Sequence, residues 1–116
     1  MNPQDLLPLQ EPTFFILTSL TTGGKHGYAI LKDVEALSAG RVRLGTGTLY
    51  GALSRLLDQG LIVQVNDGAA APAENPGKPR KAYALTHAGQ EVLTAETGRL
   101  LELAALARLR LKGENL

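Results

Sequence analysis

Apolar residues recur along this chain first at a helical period and then at a strand period. From Thr13 to about Thr22 they crowd most sides of a helix: Phe14, Phe15, Ile16, Leu17 and Leu20. Pro12 suits the start of that helix, where its missing N–H costs no hydrogen bond, and Gly23-Gly24 ends it. A second helix is predicted from near Lys25-His26-Gly27-Tyr28 to Ser38. Ile30, Leu31, Val34 and Leu37 fall at three- and four-residue spacing there, which lines one helical face. Gly40 is a natural stop, and Arg41-Val42-Arg43-Leu44 is a short alternating connector. A third helix follows from about Thr46, which can cap it, to Gln59, with Gly60 as its end. Leu49, Leu53, Leu56 and Leu57 form its inner face. The opposite face holds Gly47, Tyr50, Gly51, Ser54 and Arg55, a small, polar, basic and aromatic surface open to close approach.

The pattern then changes. Leu61-Ile62-Val63-Gln64-Val65 reads as a strand by composition, and Lys81-Ala82-Tyr83-Ala84-Leu85 as a second, with Tyr83 and Leu85 on one face. Residues 66–80 between them are too many for a two-residue hairpin turn, and loops of that length commonly carry function. Their end, Gly77-Lys78-Pro79-Arg80-Lys81, is stiffened by proline and strongly basic. Thr86 is a good N-cap for a last helix reaching about Lys112, ~26 residues and ~39 Å long. Leu93, Thr97, Leu100, Ala104, Ala107 and Leu111 make one stripe on it; Val92, Leu103 and Leu106 belong to a second. A three-helix core covers one stripe. The spare one, with small Ala104 and Ala107, fits close helix packing across a dimer. Gly89 and Gly98 each weaken the helix by ~1 kcal/mol relative to alanine, and Gly98 is expected to mark a bend or a close crossing. Residues 1–11 carry Pro3 and Pro8 without a period, and read as an arm that docks on a partner.

Composition narrows the chemistry. A chain of 116 residues, 44% hydrophobic and 20% charged, has the make-up of one soluble globular domain. It has no cysteine, which excludes disulfides, thiolate-ligated metals and thiol redox sensing. Only His26 and His87 could supply imidazole to a metal, so no metal site is expected. The apolar runs fall short of a membrane span and the first residues lack a basic n-region, so the expectation is a cytoplasmic protein without a membrane partner. Net charge is only +1, but its distribution is uneven. No acid lies between Glu35 and Asp58, where Arg41, Arg43 and Arg55 stand. None lies between Glu74 and Glu91, where Lys78, Arg80 and Lys81 stand. Two basic islands on a neutral chain point to a localised polyanion contact. An enzyme reading fails on inventory: no Ser/His/Asp or Cys/His set stands at a suggestive spacing, and no phosphate-cradling glycine loop is present. No catalytic residues are expected.

The predicted order is helix, helix, helix, strand, long basic loop, strand, helix. That is a mainly α (α+β) winged helix-turn-helix fold with an extra C-terminal helix. Residues 1–11 form the arm, 12–86 the winged helix-turn-helix domain and 87–116 a dimerisation helix. A helix fits the DNA major groove with its exposed side chains on the base edges. A basic wing reaches neighbouring phosphates or the minor groove. The two basic islands fall on the third helix with its approach, and on the wing.

Three separated motifs are distinctive: His26-Gly27-Tyr28-Ala29-Ile30, then Gly47-Thr48-Leu49-Tyr50-Gly51-Ala52-Leu53 followed by Arg55-Leu56 and Gly60-Leu61-Ile62, then Gly77-Lys78-Pro79-Arg80-Lys81-Ala82-Tyr83-Ala84-Leu85-Thr86 with Ala88-Gly89. With them the sequence resembles the PadR family of bacterial transcriptional regulators, over roughly residues 12–112. Gly45-Thr46 stand where the family often has Ser-Pro. The single short last helix is similar to the compact branch of the family. The resemblance implies a homodimeric repressor of a pseudo-palindromic double-stranded operator. Its two recognition helices would be about one DNA turn (~34 Å) apart, and a small molecule or other signal would release it. No cofactor is implied.

The candidate DNA-binding residues are Tyr28, Gly47, Thr48, Tyr50, Ser54, Arg55, Lys78, Arg80 and Lys81. The candidate dimer residues are Phe14, Phe15, Leu93, Leu100, Leu103, Ala104, Ala107 and Leu111. Some relatives hold flat aromatic ligands between tryptophans at the dimer interface. This chain has no Trp, so an effector pocket here is expected to be aliphatic, lined by Phe14, Phe15 and last-helix leucines. His26 reads as a cap or packed ring rather than a pH sensor, and Asp33 and Glu35 as helix surface. The alternative function is a winged-helix protein–protein interaction module whose basic islands meet an acidic partner.

Overall fold

A computed structural model describes residues 2–67 and 80–113 of the chain. Helix α1 spans Glu11–Ser19, beginning two residues before the expected Thr13 because Pro12 sits inside its first turn. A 3-10 turn, Leu20–Thr22, prolongs it and ends at Gly23, whose φ of 132° lies where side chains are rarely tolerated. Strand β1, Lys25–His26, was not anticipated. It leads directly into α2, Gly27–Leu37. Beyond α2, Ala39 (φ 55°) and Gly40 (φ 81°) both turn left-handed. The buried Ser38 hydroxyl accepts from the Val42 N–H at 2.9 Å, tying the connector back onto α2.

Helix α3 spans Thr46–Asp58. Its N-cap is Gly45, in extended conformation and without a side-chain cap hydrogen bond. Thr46 is therefore the first helical residue and not the cap. Strands β2, Ile62–Asp67, and β3, Arg80–Leu85, pair antiparallel, with Ile62 opposite Leu85 and Asp67 opposite Arg80. β1 adds to the other edge of β3, with Lys25 opposite Tyr83 and His26 opposite Ala82. The sheet order is therefore β1-β3-β2. Ile16, Leu17, Leu20, Ile30, Val34, Leu49, Leu53, Leu56, Leu61, Ile62, Tyr83, Val92 and Leu93 form one buried cluster, to which α1, α2, α3, the sheet and α4 all contribute.

Helix α4 spans His87–Leu111. The Thr86 hydroxyl caps it, accepting from the Gly89 N–H at 3.0 Å and donating to the Gly60 carbonyl at 2.7 Å. Its buried residues are Gly89, Val92, Leu93 and Glu96, all in the N-terminal half. Leu93, expected on the partner-facing stripe, is instead packed into this chain's own core, 9% exposed. The covered face continues past Glu96 as Leu100, Leu103, Ala107 and Leu111 at helical spacing, now exposed. The helix passes unbroken through Gly98, and nothing outside that helix's backbone stands within 4 Å of where a Gly98 side chain would be. The expected crossing there does not occur within the chain.

The arm docks on its own chain. A 3-10 turn, Pro3–Leu6, is capped by the Asn2 side chain, and Leu6, Leu7 and Leu9 pack against the core. The Leu9 N–H donates to Glu96 Oε2 at 2.8 Å. Arg99 holds the same carboxylate with Nε on Oε1 and Nη2 on Oε2. Glu96 is 1% exposed, the one buried charge among the described residues. The Arg99 hydrogen bonds hold its carboxyl below the usual carboxylate range; burial pushes the other way, and the Leu9 N–H adds to the lowering.

Candidate nucleic-acid interface

The outer face of α3 is built by the leucines on its inner face. Leu49, Ala52, Leu53 and Leu56 are buried, which turns Gly47, Thr48, Tyr50, Gly51, Ser54 and Arg55 outward, all exposed. Nothing stands within 4 Å of the side-chain positions of Gly47 and Gly51, so an approaching surface can come up to the α3 backbone. Gly47, Tyr50, Gly51 and Ser54 share one stripe; Thr48 and Arg55, two turns apart, form the adjoining one. Arg55 also lines a cleft of about 310 Å³ with Leu6, Pro8, Leu9 and Gln10 of the arm, on the side of α3 toward the N-terminus.

The N-terminal end of α2 flanks α3. Tyr28 is 66% exposed, with Lys32 Nζ 5.5 Å from its ring centroid, within cation–π range. Lys25 is engaged elsewhere: its Nζ bonds the Ser19 carbonyl and the Thr22 hydroxyl at the end of α1. The His26 side chain makes no cap hydrogen bond to α2; its Nδ1 lies 3.2 Å from the Lys81 carbonyl, across the β1–β3 pairing. Exposed Lys81 is thus held in a strand paired on both edges. The Arg80 backbone opens β3, and Lys78 lies outside the described residues. In the first basic island, Arg43 Nε pairs with Glu35 Oε1 at 3.3 Å, and Arg41 Nε donates to the Ser38 carbonyl at 3.4 Å. An exposed pair of this kind is weak, so both cations remain open to competition from a polyanion.

Of the candidate dimer residues, Phe14, Phe15 and Leu100 share one groove. Phe14 and Phe15 meet edge to face, with centroids 6.0 Å apart. With Leu9, Glu11, Glu96, Arg99 and Leu100 they line a groove of about 250 Å³. That groove is less aliphatic than expected, because the Glu96–Arg99 pair forms part of its wall. Leu103 is 48% and Leu111 88% exposed; Ala104 and Ala107 are exposed as well. Among the described residues, no group of three His, Asp or Glu side chains is placed to hold a metal. No helix among the described residues is long and apolar enough to cross a membrane.

Comparison with known proteins gives this surface a context. A 94-residue stretch is 38% identical to an uncharacterized 37.1 kDa protein in transposon TN4556 of Streptomyces fradiae; it takes in 81% of this chain and 24% of that protein. The chain therefore spans about a quarter of the length of that relative. The fold matches a PadR family transcription regulator from Clostridium difficile R20291, with TM-score 0.70 and 24% identity over 88% of this chain and 99% of that one. It also matches Bacillus subtilis PadR, solved in complex with operator DNA, with TM-score 0.61 and 22% identity over 74% of this chain and 46% of that one. Residues 16–95, from the second half of α1 through the first turns of α4, match the transcriptional regulator PadR-like family. This chain belongs to the PadR-like family of transcriptional regulators.

Proposed function

We propose that the chain is a sequence-specific double-stranded DNA-binding regulator that works as a homodimer and represses transcription until a signal releases it. The observation that carries this reading is the outer face of α3. It is exposed along its length and open to the backbone at Gly47 and Gly51, and Tyr28 at the start of α2 and Lys81 of β3 are exposed as well. Gly47, Thr48, Tyr50 and Ser54 would meet base edges and nearby phosphates, Arg55 and Tyr28 the backbone, and Lys78, Arg80 and Lys81 the phosphates beside the wing. The relative solved with operator DNA shares this fold, which supports the same orientation of α3 here.

The second half of α4 supports the dimer. Leu100, Leu103 and Leu111 expose a stripe that the domain covers only as far as Glu96. A second copy of the same stripe, admitted closely by Ala104 and Ala107, buries it with two-fold symmetry. The groove of Phe14, Phe15, Glu96, Arg99 and Leu100 opens beside that stripe, so a ligand there would bear on the dimer and on the spacing of the two α3 helices.

The test is fluorescence anisotropy on duplex DNA from upstream of the protein's own gene, beside random duplex, at two salt concentrations. The expected result is preference for the upstream duplex, a steep log-linear loss of affinity with salt, and loss of that preference in Tyr50→Ala. Weak, equal binding to both duplexes, unchanged by Tyr50→Ala, overturns the reading and favours an interaction module for an acidic protein partner.

A further inference from the structure

Two of the sequence motifs meet at a point that neither announces. Gly27 is the first residue of α2 and is buried. Its backbone is ordinary: among the described residues, the left-handed glycines are Gly23, Gly40, Gly60 and Gly113. Conformation therefore gives no reason for glycine at 27, and propensity favours alanine within a helix by up to ~1 kcal/mol. The reason is space. A Cβ on Gly27 would fall on the Tyr50 phenol oxygen and stand 3.0 Å from Tyr50 Cζ and 3.5 Å from Cε1. Every one of those atoms belongs to Tyr50, the aromatic residue of the outer α3 face. The same residue follows directly on β1, whose Lys25 and His26 pair with Tyr83 and Ala82 of β3. The start of α2 thus touches α3 on one side and the wing strand on the other. Tyr83 itself is 4% exposed; burial, and then the nearness of Tyr50, raise its phenol pKa.

We propose that Gly27 is a positioning residue: by leaving room for the Tyr50 ring it fixes that ring, and the roll of α3 against β3, and so sets DNA affinity without contacting DNA. This rests on the DNA-binding reading above. An added methyl in a packed core ordinarily costs stability. Here the colliding atoms are the tip of a side chain 43% exposed to solvent, so the ring has room to swing outward. Gly27→Ala therefore keeps the fold and displaces Tyr50.

The full chain contains three tyrosines and no tryptophan, so incorporated 3-fluorotyrosine gives a 19F spectrum that Tyr→Phe variants assign. Gly27→Ala is expected to shift the Tyr50 resonance and leave Tyr28 in place, with a thermal midpoint within a few degrees of wild type. Affinity for the duplex that wild type selects best from a random pool falls about tenfold. Tyr50→Phe removes the oxygen nearest the new methyl. In that background the Gly27→Ala loss shrinks to about threefold or less, the signature of coupling between the two sites. An unmoved Tyr50 resonance, or the same fold-loss in both backgrounds, overturns the proposal. If wild type selects no duplex at all, the DNA-binding reading falls and the affinity claim with it. The fluorine shift still reports separately whether Gly27 seats Tyr50.

Discussion

Replacing Glu96 with glutamine tests the clamp between the arm and α4. The side chain keeps its shape and one carbonyl oxygen, so no cavity opens. It loses the charge that Arg99 holds through two nitrogens while the Leu9 N–H reaches the same carboxylate at 2.8 Å. Hydrogen bonds to a charged group contribute about 1.5–3 kcal/mol. Breaking a fully buried ion pair costs about 3–5 kcal/mol, because the survivor is left without a partner. Arg99 keeps 35% of its side chain in solvent, so its stranded charge stays partly hydrated and the loss falls near the lower range, about 2 kcal/mol. At about 2.1 cal/mol/K of unfolding entropy per residue, that lowers the thermal midpoint by about 8 °C. Urea denaturation followed by helical circular dichroism measures the free-energy loss and a thermal melt the midpoint, both at one fixed protein concentration because assembly would shift them.

The same variant carries a pH signature. The fold holds the Glu96 carboxyl below its ordinary value of 4.5, so ionised Glu96 favours the folded state. Its contribution is complete above the unfolded value and is lost as pH falls through the folded one. The gap between wild type and Glu96→Gln is expected to be constant near neutrality and to narrow below about pH 4.5. A variant within 0.5 kcal/mol (about 2 °C) of wild type at pH 7, or a gap that widens in acid, refutes the clamp.

Gly89→Ala is expected to cost more than about 2 kcal/mol in the same urea experiment. Its methyl would fall on the Leu61 carbonyl and lie 2.8 Å from Leu85 Cδ1, and backbone cannot swing aside as Tyr50 can. A cost below about 1 kcal/mol would refute that packing. Thr86→Ala removes both the cap on Gly89 N–H and the bond to the Gly60 carbonyl; about 1–2 kcal/mol of stability should go with it, and a neutral variant would show that neither bond matters. Leu100→Glu combined with Ala104→Glu puts charge on the exposed α4 stripe and should sediment as a monomer; a surviving dimer would place the interface elsewhere.

The helices were legible because burial imposes a period. Leu49, Leu53 and Leu56 face the core, and their spacing alone turns Tyr50 and Ser54 outward. Thr86 was legible because an N-cap is a local device, complete within a few residues. The features that sequence reasoning missed are long-range. β1 is two residues long, too short for any alternation, and exists only because β3 offers an edge. Glu96 looks like a surface charge between Leu93 and Leu100. What buries it is a backbone N–H 87 residues earlier, in an arm with no period of its own. A lysine in a two-residue strand, such as Lys25, gives no hint that its ammonium caps the preceding helix. The seating of Tyr50 on Gly27 joins two motifs that were each read alone; glycine followed by tyrosine does not say which tyrosine needs the space.

Helix α4 leaves its own domain half-way along, and that has a thermodynamic consequence. Residues 97–111 make a segment of the length at which an isolated helix is only marginal in water. Fixing each backbone unit costs about 1–2 kcal/mol of conformational entropy, and beyond Leu100, beside Phe14 and Phe15, the domain gives this segment little apolar cover to set against it. In the proposed dimer, ordering and assembly become one event. On dilution the helix should unwind from Leu111 back toward Gly98, so ellipticity falls with concentration and subunit association carries the negative heat capacity of coupled folding. The protomer's structure would then be complete only in company.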